Sequence, residues 1–326
     1  MKTRRAALRA ILAFPTALLT TGPAFPQPDK RTLIGLLDAS DRLEWWDAFR
    51  KQLRDFGYVE GRNVSFDTRL AKGELELLPA MARELIRLKA NVIVTSGTSA
   101  ALAAKRASST IPIVMATGTD QVSLGLAASL ARPGGNVTGM STLTSELMVK
   151  RFELVRELIP NMKRLAVLWH NENVSSMASV RDLETVAAKS KVTLQTVGVA
   201  GAEQLRDAFA SMTRERAEAV IVVQTPLMYT ERSAIAELAI KHRLPSMWGA
   251  SEYVVIGGLM SYAPSYTELF RRAAGYVQKI LKGANPGDLP IEQPNTFELA
   301  INAKTARTLG IDVPSSMLAR ASSVIR

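Results

Sequence analysis

Two successive series of short apolar strands alternating with amphipathic helices limit this chain's fold more than any other feature. Leu33 to Leu37 is an apolar run ending at Asp38-Ala39-Ser40, as a buried parallel strand ends in a loop. Leu43, Trp46, Phe49, Leu53 and Phe56 then recur at helical spacing, and Gly57 closes that helix. Strands follow at Val64 to Thr68, Val92 to Thr95, Ile113 to Ala116 and Val137 to Met140, with helices over 75–88, 100–107 and 124–130. After a helix over 146–158 the pattern restarts. Strands over 164–169, 193–199, 219–223 and 246–248 alternate with helices reaching Lys189, over 202–213 and over 233–242. The expected class is α/β, with two doubly wound Rossmann-like lobes. The tail (a strand over 259–262, a helix over 265–282 and a strand over 297–301) is too short for a third domain and must pack back onto the first two.

The N-terminus reads as an address. Lys2, Arg4, Arg5 and Arg9 form a basic stretch without acidic residues, Ile11 to Leu19 is apolar, and Gly22-Pro23-Ala24 offers small residues for cleavage. Residues 1–24 are therefore expected to be a signal peptide, with a weak twin-arginine hint at Thr3-Arg4-Arg5. The chain has no cysteine, so it has no disulfide or thiolate metal site, and no lipid-carrying cysteine at the cleavage point. A free periplasmic protein is expected. The net charge is +11, but the basic residues are scattered: Arg83, Arg87 and Lys89; Arg151 and Arg156; Arg271 and Arg272. That pattern suits solvated helix faces, and no nucleic-acid partner is expected.

Ligands of open parallel sheets bind beyond the strand carboxyl ends, where loops present backbone N–H groups and helix N-termini. Those loops hold the candidate ligand-binding residues Ser40, Asp41, Ser96, Gly97, Thr98, Thr117, Gly118, Asp120, Ser141, Thr142, Asn171, Gln224 and Thr225. Ser96 with Thr98, and Thr117 with Thr119, are the leading candidates for a carboxylate or other anion. Asp41, Asp120 or Glu252 are candidates for a ligand ammonium. Ser96, Thr98, Ser99 and Asp41 are equally placed to cap the following helices. Trp46 belongs to the core stripe; Trp45, about 100° round the helix, faces either cleft or solvent. Trp248, at a strand end, is the stronger aromatic candidate. The chain lacks the phosphate-loop, dinucleotide, zinc-protease and nucleophile-elbow motifs, and His170 and His242 have no evident acid–base partner. Neither an enzyme nor a cofactor or metal site is expected.

Phe56-Gly57-Tyr58-Val59-Glu60-Gly61-Arg62-Asn63-Val64, Leu130 to Gly139 with its Arg132-Pro133-Gly134-Gly135-Asn136 core, Gly257-Gly258-Leu259-Met260-Ser261-Tyr262 and Leu309-Gly310-Ile311 carry a resemblance to a known family. The chain resembles, over nearly all of 31–326, the ABC-transporter substrate-binding proteins related to tryptophan- and tyrosine-type binding proteins. The resemblance implies a type I periplasmic-binding-protein fold, with two lobes joined by a three-crossover hinge. The implied lobes are 31–141 plus 262–285 and 142–261 plus 286–326. It also implies a small-molecule ligand, a membrane permease with its cytoplasmic ATPase as partner, and a monomer. Many relatives have a glycine- or serine-rich loop after the first strand, where this chain has Asp38-Ala39-Ser40-Asp41, so the ligand does not carry over. An amino acid or aromatic carboxylate is the expectation. A ligand sensor docking to a membrane receptor, or a periplasmic enzyme on this fold, are the alternatives. A repressor would need a helix-turn-helix where the signal segment stands.

Overall fold

The computed structural model describes residues 31–142 and 144–326; the residues carrying the signal-peptide reading lie outside them. The first lobe is built from β1 (Thr32–Asp38), α1 (Leu43–Asp55), β2 (Val64–Leu70), α2 (Leu78–Arg87), β3 (Val92–Ser96), α3 (Thr98–Ala107), β4 (Ile113–Thr117) and β5 (Val137–Gly139). Its five-stranded sheet runs β2-β1-β3-β4-β5, all parallel. β3 and β4 are buried along their whole length, which is why they read as continuous apolar runs without alternation.

The second series is α4 (Thr144–Leu158), β6 (Arg164–His170), α5 (Val174–Lys189), β7 (Thr193–Val199), α6 (Leu205–Arg214), β8 (Ala219–Val222), α7 (Pro226–Thr230), α8 (Arg232–Lys241), β9 (Ser246–Trp248), α9 (Glu252–Val255) and β10 (Met260–Pro264). α10 (Tyr266–Leu281), β11 (Phe297–Asn302), α11 (Ala303–Leu309), α12 (Ser315–Arg320) and β12 (Ser323–Ile325) complete the chain. The second sheet has seven strands in the order β12-β11-β10-β9-β8-β6-β7, parallel except for the β10–β11 pair.

The tail divides between the lobes. α10 returns to the first lobe, where Phe270, Ala273, Ala274 and Val277 are buried with Trp46, Phe49 and Leu53 of α1. Burying each large apolar side chain contributes about 1.5–3 kcal/mol, so this helix pair is a principal source of that lobe's stability. β11 and β12 return to the second sheet. The chain thus passes between the sheets three times. β10 stays in the second sheet as far as Pro264, three residues past the expected end of that lobe segment at 261. The segment 285–292 stays on the first lobe: Thr138 Oγ1 donates to Leu289 O at 2.7 Å, Ile291 N to Leu130 O at 2.7 Å and Glu292 N to Gly139 O at 2.9 Å. The third passage therefore begins after Glu292, seven residues later than the boundary at 285 implies.

One expected helix is absent. The residues around Leu124 to Leu130 form a series of turns, because Gly125 sits at φ +69° and both Leu126 N and Ala127 N turn back to Gln121 O. Beyond this point Ala128 N bonds Pro133 O, which ties the turn to the Pro133-Gly134 loop.

Glu292 also pairs with Arg272 of α10. Burial raises its carboxyl pKa, but Arg272, the Tyr276 hydroxyl and Lys279 outweigh that and hold it below 4.5. A carboxyl depressed in the folded state stabilises the protein above its unfolded pKa, and that contribution disappears as pH falls through the folded value. Glu292→Gln is therefore expected to lower the melting temperature near pH 6, with the gap to the parent narrowing as pH drops below 4.5. A pH-independent gap in thermal melts contradicts the assignment.

Candidate functional site

The carboxyl ends of β1, β3 and β4 in the first lobe and of β6 and β8 in the second face a shared cavity between the lobes. Trp45, Gly97, Thr98, Thr117, Gly118, Thr119, Thr142, Gln224 and Thr225, nine of the residues expected from the sequence, line it. So do Ser99, Arg42, Asn173, Ser175, Pro226 and Tyr266. A second, inner cavity adjoins it through Thr119, Thr142, Ser175, Gln224 and Tyr266, and is floored by Leu147, Met148, Arg151 and Ser179. The free volumes are about 70 and 60 Å3. Ligand pockets usually span ~300–1,000 Å3, so admitting a larger solute requires the lobes to part.

Two helices from opposite lobes point their N-termini at this space. α3 follows Gly97, which has no side chain to cap it, so its first N–H groups face the cavity. α5 is capped by Asn173, whose Oδ1 accepts from Ser175 N at 3.1 Å. The positive end of each helix dipole favours a negative group between them. Thr98 does not cap α3. Its Oγ1 accepts from Thr119 N at 3.0 Å and so fixes the β4 loop against the β3 loop. Thr117 Oγ1 accepts from Gly97 N at 3.0 Å to the same effect.

The aromatic side of the site is built on Arg42 and Trp45. Asp38, fully buried, accepts from Arg42 Nη1 at 2.7 Å, Trp46 Nε1 at 2.8 Å and Ser40 N at 2.8 Å. This anchors the first turn of α1 to the end of β1. Ser96 Oγ accepts from Arg42 as well, at 3.1 Å. The Arg42 guanidinium lies over the rings of Trp45 (5.4 Å) and Tyr229 (5.2 Å). Trp45 stacks on Tyr266 with centroids 4.5 Å apart and meets Tyr229 at 5.3 Å. Its indole Nε1 donates across the lobe boundary to Glu252 Oε1 at 2.6 Å. Tyr229 of the second lobe donates to Glu44 of the first. The lobes are thus held together here by aromatic faces and two hydrogen bonds. Burial, then the hydrogen bond to Glu44, raises the Tyr229 pKa, so this hydroxyl remains a donor.

Other expected residues lie elsewhere. Trp248, expected as the cleft aromatic, points into the second lobe's core: it is fully buried, donates to Ser246 Oγ at 2.8 Å and stacks on Tyr253 at 4.8 Å. Ser40 and Ser96 serve the Asp38–Arg42 cluster, and Ser141 donates to Gln121 Oε1 at 2.9 Å. Asp120 and Asn171 are exposed, and neither they nor Asp41 line the cavity. Asp41 does not cap α1 with its side chain. Glu252 reaches the site through Trp45. His170 is buried outside both cavities, and burial lowers its pKa, so near neutral pH it is an uncharged core group.

Arg151 is the largest departure from the expected picture. Grouped by sequence with solvated basic residues, it is only 2% exposed and lines the inner cavity. The signal was present in the helix pattern. Arg151 falls on the buried stripe of α4 formed by Leu147, Met148, Leu154, Val155 and Leu158.

The sequence profile described as ABC transporter substrate binding protein matches residues 33–325. A tyrosine-binding protein of Clostridioides difficile is 28% identical over 261 residues, covering 80% of this chain and 75% of that protein. A Streptococcus pneumonia structure described as an ABC domain in complex with L-Trp is 27% identical with a TM-score of 0.83, covering 90% of this chain and all of that one. A Vibrio cholerae conserved domain protein superposes with a TM-score of 0.85 at 28% identity, again over 90% of this chain and all of its own.

Proposed function

Since the chain belongs to the ABC transporter substrate-binding protein family, we propose that it captures an aromatic amino acid between its lobes and delivers it to a membrane permease driven by a cytoplasmic ATPase. The observation that carries this reading is the interlobe cavity itself. One wall is the Trp45–Tyr266 aromatic stack; the other walls are hydroxyls, two helix N-termini and a buried arginine. An apolar ring suits the first wall, and a carboxylate suits the others. The relatives bound to tryptophan or named for tyrosine support the same chemistry.

In this reading the rigid bodies are 31–142 with 265–292, and 144–264 with 293–326; Ser141 N and Thr142 N stay bonded to Glu292 O and Gly118 O of the first. The open form admits the solute; contact with both lobes then shifts the population to the closed form, whose surface the permease recognises. The protein acts as a periplasmic monomer after loss of its signal peptide, and returns its ligand chemically unchanged.

Calorimetry with L-tryptophan, L-tyrosine, L-phenylalanine, the other L-amino acids and aromatic acids tests the reading. Micromolar or tighter binding of an aromatic amino acid, recovered unaltered by mass spectrometry, is expected, on the order of −8 kcal/mol. Binding of a different solute class with no response to any amino acid sinks it.

A further inference from the structure

Two groups facing the inner cavity have bonding capacity that no described residue meets. The first is Arg151. Its Nε donates to Tyr262 O at 2.8 Å, but its two Nη nitrogens make no hydrogen bond or ion pair among the described residues. A guanidinium taken out of water without a counter-charge is costly, and burial pushes its pKa down accordingly. The nearby Tyr253 and Tyr266 supply no negative charge, because burial raises both of their pKa values. The second is Gln224, whose Oε1 is buried and accepts no hydrogen bond among the described residues, with the equally unpartnered Tyr253 hydroxyl beside its amide.

These groups are neighbours. A Cβ built on Gly249 would lie 2.9 Å from Gln224 Oε1 and 3.3 Å from Arg151 Nη2, so both flank one backbone position. They line the same cavity as the hydroxyls of Thr119, Thr142 and Ser175, at the N-terminus of α5. Arginine Nη groups and a carbonyl oxygen without partners among the described residues, next to an aromatic wall, are complementary to a carboxylate and an ammonium on the same carbon.

We propose that Arg151 and Gln224 form the head-group subsite for an α-amino acid, the Arg151 guanidinium pairing with the carboxylate and the Gln224 carbonyl oxygen accepting from the ammonium. The proposal rests on the solute-binding reading above and adds the ligand's orientation. The carboxylate end lies inward against α4 and α5, and the side chain lies outward against Trp45 and Tyr266. Arginine suits this position because its fork matches a carboxylate at two points.

The test is calorimetry on the full chain with three probes: L-tryptophan, tryptamine, which lacks the carboxylate, and 3-indolepropionate, which lacks the ammonium. The parent is expected to prefer L-tryptophan to tryptamine by on the order of 100-fold, as for other buried charge-assisted pairs. Arg151→Met is expected to lose about 100-fold for L-tryptophan and 3-indolepropionate while leaving tryptamine unchanged. Gln224→Leu is expected to lose about tenfold for L-tryptophan and tryptamine while sparing 3-indolepropionate. Should Arg151→Met fail to fold, Arg151→Lys is expected to keep the preference over tryptamine with affinity about tenfold weaker. Equal binding of L-tryptophan and tryptamine by the parent overturns the subsite. So does a folded Arg151 variant that weakens all three probes alike, or none.

The two readings fail separately. If another L-amino acid binds in preference to its decarboxylated amine through Arg151, the aromatic specificity falls and the subsite stands. If indole compounds bind without dependence on Arg151, the subsite alone falls. If no amino acid binds, both fall.

Discussion

Trp45→Ala is expected to lower the affinity for an aromatic amino acid by on the order of 100-fold, or about 2.8 kcal/mol. In the closed arrangement this side chain stacks on Tyr266, meets Tyr229 and Phe270, and donates to Glu252 across the lobe boundary. Truncating a buried tryptophan costs about 3–5 kcal/mol. Tyr229 and Glu252 belong to the second lobe, so much of that loss falls on the closed form and not on the folding of either lobe. The variant should therefore remain folded, bind weakly and show a larger radius of gyration in small-angle scattering when ligand is present. Trp45→Phe keeps the stack and loses only the donor to Glu252, so a loss nearer tenfold is expected, the usual worth of a hydrogen bond to a charged group. Affinity within threefold of the parent for Trp45→Ala would remove the indole from the binding argument.

Gly139→Ala is expected to act on the fold. Gly139 ends β5 at φ +125°, a conformation that L side chains rarely adopt. A Cβ there would lie 2.2 Å from Met115 O and 2.6 Å from Met115 N, both backbone atoms of β4. No side-chain rotation relieves such a contact; the strands must separate. Separation also breaks the bond from Met140 N to Met115 O (2.7 Å) and disturbs the seat of Glu292, where the chain leaves the first lobe. A loss of about 3 kcal/mol or more is expected, at the upper end for single substitutions. At ~2–4 °C per kcal/mol, this corresponds to a drop in melting temperature of about 6–12 °C. A melting temperature unchanged within a degree or two would show that β5 can yield without cost.

The residues that periodicity reveals are those whose role is set by burial on one face. The stripe of α1 and the continuous apolar runs of β3 and β4 are of this kind, and their elements lie where the pattern puts them. The loops after parallel strands were readable for a related reason: the sheet's direction decides which end faces the cleft, so Gly97, Thr98, Thr117, Gln224 and Thr225 meet there. The helix expected near Leu124 failed because its apolar residues fit helical spacing while Gly125 breaks the backbone. Of the two candidate tryptophans, Trp45 lines the cleft and Trp248 does not. Being at a strand end fixes position along the strand, but which face the side chain takes depends on what packs there, and Tyr253 with Ser246 claims Trp248. Arg151 and Tyr266 escaped notice because they lie on helices packed beside the cleft, where helical spacing does not separate a residue facing a cavity from one facing core.

The placement of α10 has a consequence for the order in which this molecule can be made. The face of α1 carrying Trp46, Phe49 and Leu53 is covered by residues more than 200 positions later in the chain. Until α10 is synthesised, the first lobe has its parallel sheet and its helices α2 and α3 but an uncovered apolar face on the opposite side. Contacts so distant in sequence slow folding, because the loop must close before it is rewarded. The N-terminal half therefore cannot finish on its own. A chain truncated before Tyr266 should be a sticky, chaperone-dependent species, and the complete protein acquires its first lobe only after most of the second has been translated.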